Sequence, residues 1–419
     1  MTIDPTNPTP PEFPRIAGKD NIPEHVDPAL IKDVGIPWSP EFLQAPHDYM
    51  AKLHDRVPPV FYSVSDYGNQ WNLLRHEDAF FMLRHYEIFS NEGATPFPRD
   101  PADYYYFIPI EIDPPDHRKY RAVLDPTFSP KGVQALEQKI RDLANDLIDE
   151  FIDDGECEYT TAFGRPLPVS VFLDLMGLPQ EKRDTFVEWA MNLLHSSDPQ
   201  VMSTAMNNIS TYLKKEIAEK TQNPDDGVIS QIVHAEVEGR AMTAPEIFGF
   251  VIFLFIGGLD TVFATLNLIW LWMAENPARV KEMIDNPEQI DAQVEELLRV
   301  WSVTFSGRML KEDYEFNGVK MKKGERITAV LPACNYDPEV FPNPREVDFD
   351  RRRKPILAFA GGPHSCMGAH LARLEVKISL QEWLRRIPEF ELKPDTTIEY
   401  RPGGVIGPEH VPLQWKTGA

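Results

Sequence analysis

The run Ile247–Leu259 carries no polar side chain, and apolar sequence continues past Asp260 and Thr261 to Trp272. Thr243-Ala-Pro-Glu246 ahead of it is a capping-box start with proline in the first turn, and Asn276-Pro277 closes the helix. A helix that is apolar all round must be enclosed, either by lipid or by the rest of a large globule. Asp260, two threonines and Asn267 in its second half argue against lipid, where a charge is costly. The expectation is a central, buried helix. A chain of 419 residues at 42% hydrophobic composition is long enough to enclose it.

Gly257 and Gly258 interrupt that helix at a cost on the order of 1 kcal/mol each. Close packing of a flat partner would offset this, as would a local opening that admits water. Plain helix–helix packing, with Thr261 bonding back to a carbonyl, accounts for the same residues. An acid beside an alcohol in an apolar cavity, Asp260-Thr261, can also relay protons to a buried reacting oxygen.

A second stretch, Phe359-Ala-Gly-Gly-Pro-His-Ser-Cys-Met-Gly368, carries one cysteine into an amphipathic helix from Ala369 to about Leu384. The glycines allow backbone shapes and close approaches that a Cβ would forbid. Cys366 at a helix start faces free N–H groups and the positive end of the dipole, and both favour thiolate. The plain alternative is a buried packing cysteine. A sulfur held anionic beside flat glycine backbone suits a planar metal macrocycle, which is the setting of thiolate-ligated haem.

The pattern Phe-x-x-Gly-x-x-x-Cys-x-Gly, with Arg373 after it, resembles the haem-binding loop of the cytochrome P-450 family of haem-thiolate monooxygenases. Gly257-Gly-Leu-Asp-Thr261 resembles the family's oxygen-activation segment. The resemblance runs from about residue 35 to the C-terminus. It is closest to the bacterial, soluble, camphor-hydroxylase-like branch through Tyr106-Phe-Ile-Pro, Asp113-Pro-Pro and Glu382-Trp-Leu-Arg-Arg-Ile-Pro.

The resemblance implies haem b with Cys366 as axial thiolate, in a loop that includes Phe359 and Gly368, with Gly258 against the haem. It implies His117, Arg121, Arg308 and His364 on the haem propionates, Asp260 as gate to bulk protons and Thr261 as the residue that positions water. Glu296 and Arg299, three apart on one helix face, would be a buried structural pair. Substrate contacts would come from Tyr105 (Tyr104 and Tyr106 compete for that register), Phe97, Phe107, Phe253 and Thr304. Pro96, Thr304 and Ser306 depart from the camphor type. They put camphor itself in doubt and leave a small, mostly apolar substrate such as a terpenoid alcohol, ketone or ether.

The remaining sequence is mainly helical with a minor β region. Apolar spacing predicts helices over 132–154, 180–195, 200–220 and 278–302. Short alternating segments at 60–85 predict a small sheet. Asn317-Gly318 inside 314–321 predicts a hairpin, with a strand over Ile327–Leu331 to follow. Residues 335–358 read as a long irregular connection. No linker divides the chain, so one domain is expected over 35–419. It is preceded by a proline-rich N-terminal arm over 1–34, extended on the surface or disordered.

Lys and Arg total 42 against 65 Asp and Glu, a net charge of −23, which speaks against nucleic acid as partner. Cys157, Cys334 and Cys366 are too few and too scattered for a disulfide framework or a zinc site. The N-terminus lacks a basic region followed by an apolar one, so a soluble, cytoplasmic protein is expected, with no membrane and nothing demanding more than a monomer.

No flavin or dinucleotide fingerprint is present, so two electrons must come from outside. In the resembling branch the donor is a [2Fe–2S] ferredoxin with its reductase. Arg118, Lys119, Arg121 and Arg351–Lys354 could form a basic docking face for it, or be scattered solvated charges. The primary expectation is O₂-dependent hydroxylation of a terpenoid-like substrate. A peroxide-using peroxygenase would not need Asp260-Thr261, and a haem sensor without turnover would leave that pair without a purpose.

Overall fold

The computed structural model describes residues 4–6, 8, 22–65, 68–99 and 103–417, so half of the proline-rich arm lies outside the described residues. The chain joins the sheet earlier than the boundary expected at residue 35. Ile31–Lys32 (β1) pairs in parallel with Tyr62 and Ser63 of Val60–Ser63 (β2). Gln70–Leu73 (β3), Phe89–Ser90 (β4), Ser306–Leu310 (β5) and Arg326–Ala329 (β6) complete a six-stranded sheet in the order β1-β2-β3-β6-β5-β4. The β3–β6 pair is parallel, while β2–β3, β6–β5 and β5–β4 are antiparallel. Trp71, Leu73, Phe89 and Ile327 bury the inner face of this sheet.

Helix dominates the rest. The elements that frame the site are α1 (His117–Phe128), α2 (Pro166–Met176), α3 (Arg183–His195), α4 (Pro199–Gln222), α5 (Ala244–Gly258), α6 (Thr261–Glu275), α7 (Ile290–Val300) and α8 (Ala369–Arg386). The apolar segment is two helices rather than one, because the ladder breaks at Leu259 and Asp260. Its start is as expected: the Glu246 carboxylate reaches back to the Thr243 N–H at 2.6 Å. Ala244–Glu275 is long and apolar enough to cross a membrane, yet 67% of its most apolar window is buried inside this protein. Phe250, Val251, Phe255 and Ile269 are fully buried, and each such side chain contributes about 1.5–3 kcal/mol by leaving water. Below them Trp270 and Trp383 meet edge to face at 5.7 Å, and Tyr159 stacks on Trp270 at 4.8 Å.

The hairpin forms where expected. Tyr314–Phe316 pairs with Val319–Met321, and Asn317 and Gly318 both take positive φ (49° and 81°), as a tight two-residue turn demands. Residues 132–154 break into Pro130–Gln134 and Glu137–Asp149, with Ser129 capping the first by accepting from the Gly132 N–H. The stretch 278–302 likewise divides into Pro277–Asp285 and α7, separated at Asn286-Pro287. The strand expected to reach Leu331 ends at Ala329, and Leu331 opens a short helix through Asn335.

Candidate active site

A cavity of about 330 Å³ lies between the α5–α6 junction and the cysteine loop. Phe253, Gly257, Gly258, Thr261 and Thr265 form one wall. Phe359, Cys366, Gly368, Leu371 and Glu375 form the facing wall, and Thr304, Ser306 and Arg308 of the β5 region close one edge. The two central glycines divide the roles proposed for them. A Cβ on Gly257 would meet nothing within 4 Å, whereas one on Gly258 would fall inside the Phe172 ring of α2. Gly258 therefore lines the cavity but owes its identity to helix packing, and Gly257 supplies the open wall.

Cys366 is the cysteine that faces this cavity; Cys157 and Cys334 are buried elsewhere, and burial pushes both thiols up. The Cys366 N–H donates to the Phe359 carbonyl at 3.0 Å, which closes the loop under the cavity. Gly362 carries its tightest turn, with φ +69° and the Leu83 backbone where a Cβ would stand. The expected preference for thiolate is not supplied by the protein alone. Although the residue is exposed along the cavity, dense protein around the sulfur raises the thiol, and the Gly368 N–H, Arg121 and Arg373 offset this only in part. A coordinating metal deprotonates such a thiol outright.

At the cavity rim His117, Arg121, Arg308 and His364 converge from α1, β5 and the cysteine loop. The His117 and His364 rings lie 4.3 Å apart, and all four of their ring nitrogens are buried without a hydrogen-bond partner among the described residues. Burial and the neighbouring Arg121 and Arg118 lower His117 to about 4. Burial, Arg308 and His117 push His364 well below its ordinary range. Arg308 is buried and donates to Ser306 Oγ (2.9 Å) and the Gly307 carbonyl (2.7 Å). Burial lowers its guanidinium to about 10, with Asp113 opposing and Arg326 adding to the effect. Buried cations and orphaned imidazoles at one rim call for anionic acceptors.

Asp260 and Thr261 do not act side by side as the sequence suggests. Thr261 lines the cavity, its Oγ1 held only loosely at 3.5 Å from the Gly257 carbonyl. Asp260 is buried on the far side of the junction, where its Oδ2 lies 2.7 Å from His195 Nε2 and its Oδ1 lies 4.0 Å from Arg401. Neither His195 nor Arg401 was found by sequence reasoning. Thr265, Ser302 and Glu375 on the cavity wall were also missed. No local motif carries any of them.

A family model described as Cytochrome P450 matches residues 181–411. The protein named "Probable cytochrome P450 127A1" from Sinorhizobium fredii is 34% identical over 402 residues, which covers 94% of this chain and 97% of that one. The chain belongs to the cytochrome P450 family. Cytochrome P450(BM-1) of Priestia megaterium is 33% identical over 84% of this P450 and 90% of its own length. The crystal structures of CYP101J2 and CYP101C1 superpose with TM-scores of 0.82 and 0.85, at 30% and 29% identity. Each alignment covers 95% of this chain and 100% of the other. The mainly helical P450 fold, the monooxygenase class and haem b with a cysteine thiolate ligand follow.

The residues present fit haem. Its two propionates would satisfy the orphaned His117 and His364 nitrogens and the Arg308 and Arg121 guanidinium groups. Arg121 already donates to the Ser365 carbonyl at 2.5 Å, tying α1 to the cysteine loop. Glu296 and Arg299 form the expected buried pair. Arg299 Nε and Nη2 donate to the two carboxylate oxygens at 2.8 and 2.7 Å, and its Nη1 donates to the Asn335 and Pro344 carbonyls.

The substrate contacts need correction. Phe253 and Thr304 line the cavity, but Tyr105, Phe97 and Phe107 do not. The Tyr105 hydroxyl points at Met206 Sδ of α4 (3.7 Å), and its ring packs edge-on against Phe248. The cause is Gly249: the Tyr106 carbonyl occupies the place of its Cβ, and Ile108 N–H donates to its carbonyl at 3.3 Å. That contact fixes the register of 105–108 and turns Tyr105 outward. Tyr104 packs on Arg99 and does not line the cavity, and nor does Tyr106. Phe97 and Phe107 are a second layer: Phe97 meets the Phe107 ring at 5.7 Å, and Phe107 meets Phe253 at 6.3 Å.

The basic face is smaller than the sequence suggests. Arg351 turns inward to Glu296 (3.0 Å) and the Pro342 carbonyl, Lys119 pairs with Asp116 and Glu238, and Lys354 caps the Val340 carbonyl. Arg118, Arg352 and Arg353 are exposed and make no ion pair within 4.0 Å among the described residues.

Proposed function

We propose that this P450 hydroxylates a small, mostly apolar, terpenoid-like substrate, using O₂ and two electrons from a [2Fe–2S] ferredoxin and its reductase in the cytoplasm. Bound haem supplies oxygen activation and insertion into a C–H bond. In this reading Cys366 ligates the iron, and His117, Arg121, Arg308 and His364 hold the propionates. Phe253 and Gly257 shape the apolar space, Thr304 offers a polar contact at its edge, and Thr261 positions water. Asp260 passes protons toward that water. The observation that carries the reading is the geometry of one cavity: Cys366 on one wall, Thr261 on the facing wall, and partnerless buried bases at the rim.

Arg118, Arg352 and Arg353 support an acidic electron donor despite the net charge of −23, since local sign governs docking. The CYP101 name of two solved neighbours is compatible with that donor. Haem-loaded protein should give the thiolate-type ferrous carbonyl spectrum, and Cys366→His should lose it. Camphor, 1,8-cineole, α-terpineol and limonene should then be screened for the spin-state change that follows loss of iron-bound water. A responder converted to an alcohol with ferredoxin and reductase is the expected result. A spectrum unaltered in Cys366→His, or product formed from peroxide but never from O₂ and ferredoxin, would overturn the reading.

A further inference from the structure

Asp260 is the acid of the α5–α6 junction, and its surroundings constrain where protons sit. His195 ends α3, 65 residues earlier in the chain, and its Nδ1 lies 2.6 Å from the Pro402 carbonyl oxygen. A carbonyl can only accept, so Nδ1 carries a hydrogen. The other ring nitrogen lies 2.7 Å from Asp260 Oδ2, a contact that closes only with a hydrogen between the two atoms. The pair is therefore either imidazolium beside carboxylate or neutral imidazole beside carboxylic acid. In both forms it holds one proton more than a neutral ring and a free carboxylate.

Resting on the monooxygenase reading above, we propose that His195 is the proton-holding partner of Asp260, storing the proton that the acid passes toward Thr261. In one delivery the Nε2–H bond breaks and an O–H bond forms on the Asp260 carboxyl. Rotation of the carboxyl turns that O–H away from His195, the O–H bond breaks as the proton passes to water in the cavity at Thr261, and a solvent proton restores Nε2–H. No electron moves in these steps. Oδ1 suits the handover, because it is buried and has no hydrogen-bond partner among the described residues.

The groups around the pair leave His195 as the exchangeable member. The C-terminal loop contributes Arg401, 4.0 Å from Oδ1, with Glu409 at 3.7 Å from Arg401. Arg165, just before α2, shares the Phe263 ring with Arg401 and interacts with Glu158, Glu409 and Asp260. Guanidinium groups stay charged and cannot feed a proton, whereas an imidazole can give one up and take one back. The last turn of α3 adds the negative end of a helix dipole beside the ring.

The test uses haem-loaded wild type, His195→Gln and His195→Asn with ferredoxin, reductase and the responding monoterpenoid. Product per electron should fall about tenfold in both variants, within the usual reach of a positioned proton donor. The solvent deuterium effect should rise in both, while the carbonyl spectrum and the substrate spin shift stay as in wild type. Proton–nitrogen spectra of ring-labelled wild type give a readout independent of turnover: a hydrogen-bonded proton on Nε2 that disappears in Asp260→Asn. Coupling and isotope effect unchanged in the variants would overturn the inference. So would a wild-type ring with no proton on the Asp260 side, should both variants fail to fold. A wild type that yields no product from any substrate would instead sink the monooxygenase reading itself.

Discussion

Replacing Gly257 and Gly258 by alanine, one at a time, separates the cavity wall from the helix-packing contact behind it. In a helix interior, Gly→Ala gains up to about 1 kcal/mol of propensity. Gly257 stands in the last turn of α5 and its new methyl meets nothing within 4 Å, so the variant should be more stable than wild type by at most about 1 kcal/mol. At Gly258 the methyl enters the Phe172 ring, and forcing an extra methyl into a packed contact costs about 1–3 kcal/mol. That outweighs the propensity gain, so the two variants should differ by about 1–3 kcal/mol with opposite signs relative to wild type. Guanidinium unfolding reads this as a shift of midpoint at unchanged slope. The functional readout runs the other way: Gly257→Ala should weaken 4-phenylimidazole binding, because its methyl projects into the cavity. Equal destabilisation of both variants, or unimpaired azole binding by Gly257→Ala, would refute the division of roles.

Three further outcomes are expected. Thr261→Ala should leave the carbonyl spectrum intact and cut product per electron, whereas Thr261→Ser should retain much of it; equal coupling in all three would remove Thr261 from water positioning. Burial alone would raise the Glu246 carboxyl, but hydrogen bonds from Arg240, Tyr120 and the Thr243 N–H outweigh it and hold the group at about 2, below the ordinary 4.5. Its stabilisation is thus full above about pH 4.5 and lost as pH falls toward 2. Glu246→Gln should therefore cost roughly 1–3 kcal/mol near neutrality, with the gap to wild type closing on acidification in unfolding curves. Arg352→Ala with Arg353→Ala should slow reduction by an acidic ferredoxin at low salt. The difference should vanish near 1 M salt, where the screening length is about 3 Å, and a salt-independent rate would remove electrostatic docking.

What the sequence made legible was local. The Thr243–Glu246 capping box, the Asn317-Gly318 turn, the Glu296–Arg299 spacing and the cysteine loop are each written within a few residues. Short-range hydrogen bonds and backbone sterics decide all four. The long helix over 132–154 failed because the period survives a break at Ala135 and Leu136, which a side-chain pattern cannot register. Tyr105 failed for a related reason. Its direction is set by contact of the Tyr106 carbonyl with Gly249, a backbone fit between segments far apart in sequence. His195 and Arg401 reach Asp260 only through the tertiary arrangement of α3 and the C-terminal loop, so no spacing rule points to them.

The break at Leu259 and Asp260 explains how neighbours in sequence come to serve opposite sides of the core. In an unbroken helix successive side chains diverge by about 100°, so Asp260 and Thr261 would point to different faces but not to opposite sides. With Asp260 at φ −127° and ψ −40° the ladder is interrupted, and the acid swings to the His195–Arg401 side while Thr261 turns to the cavity. The interruption also leaves the Gly257 carbonyl with the loose Thr261 Oγ1 contact at 3.5 Å. A junction of this kind costs helix hydrogen bonds, and the enclosing apolar packing of Phe250, Phe255 and Trp270 is what keeps it in place. Polar chemistry at the centre of this protein therefore depends on the apolar helices around it, which connect a buried acid and histidine to the cavity through a single displaced turn.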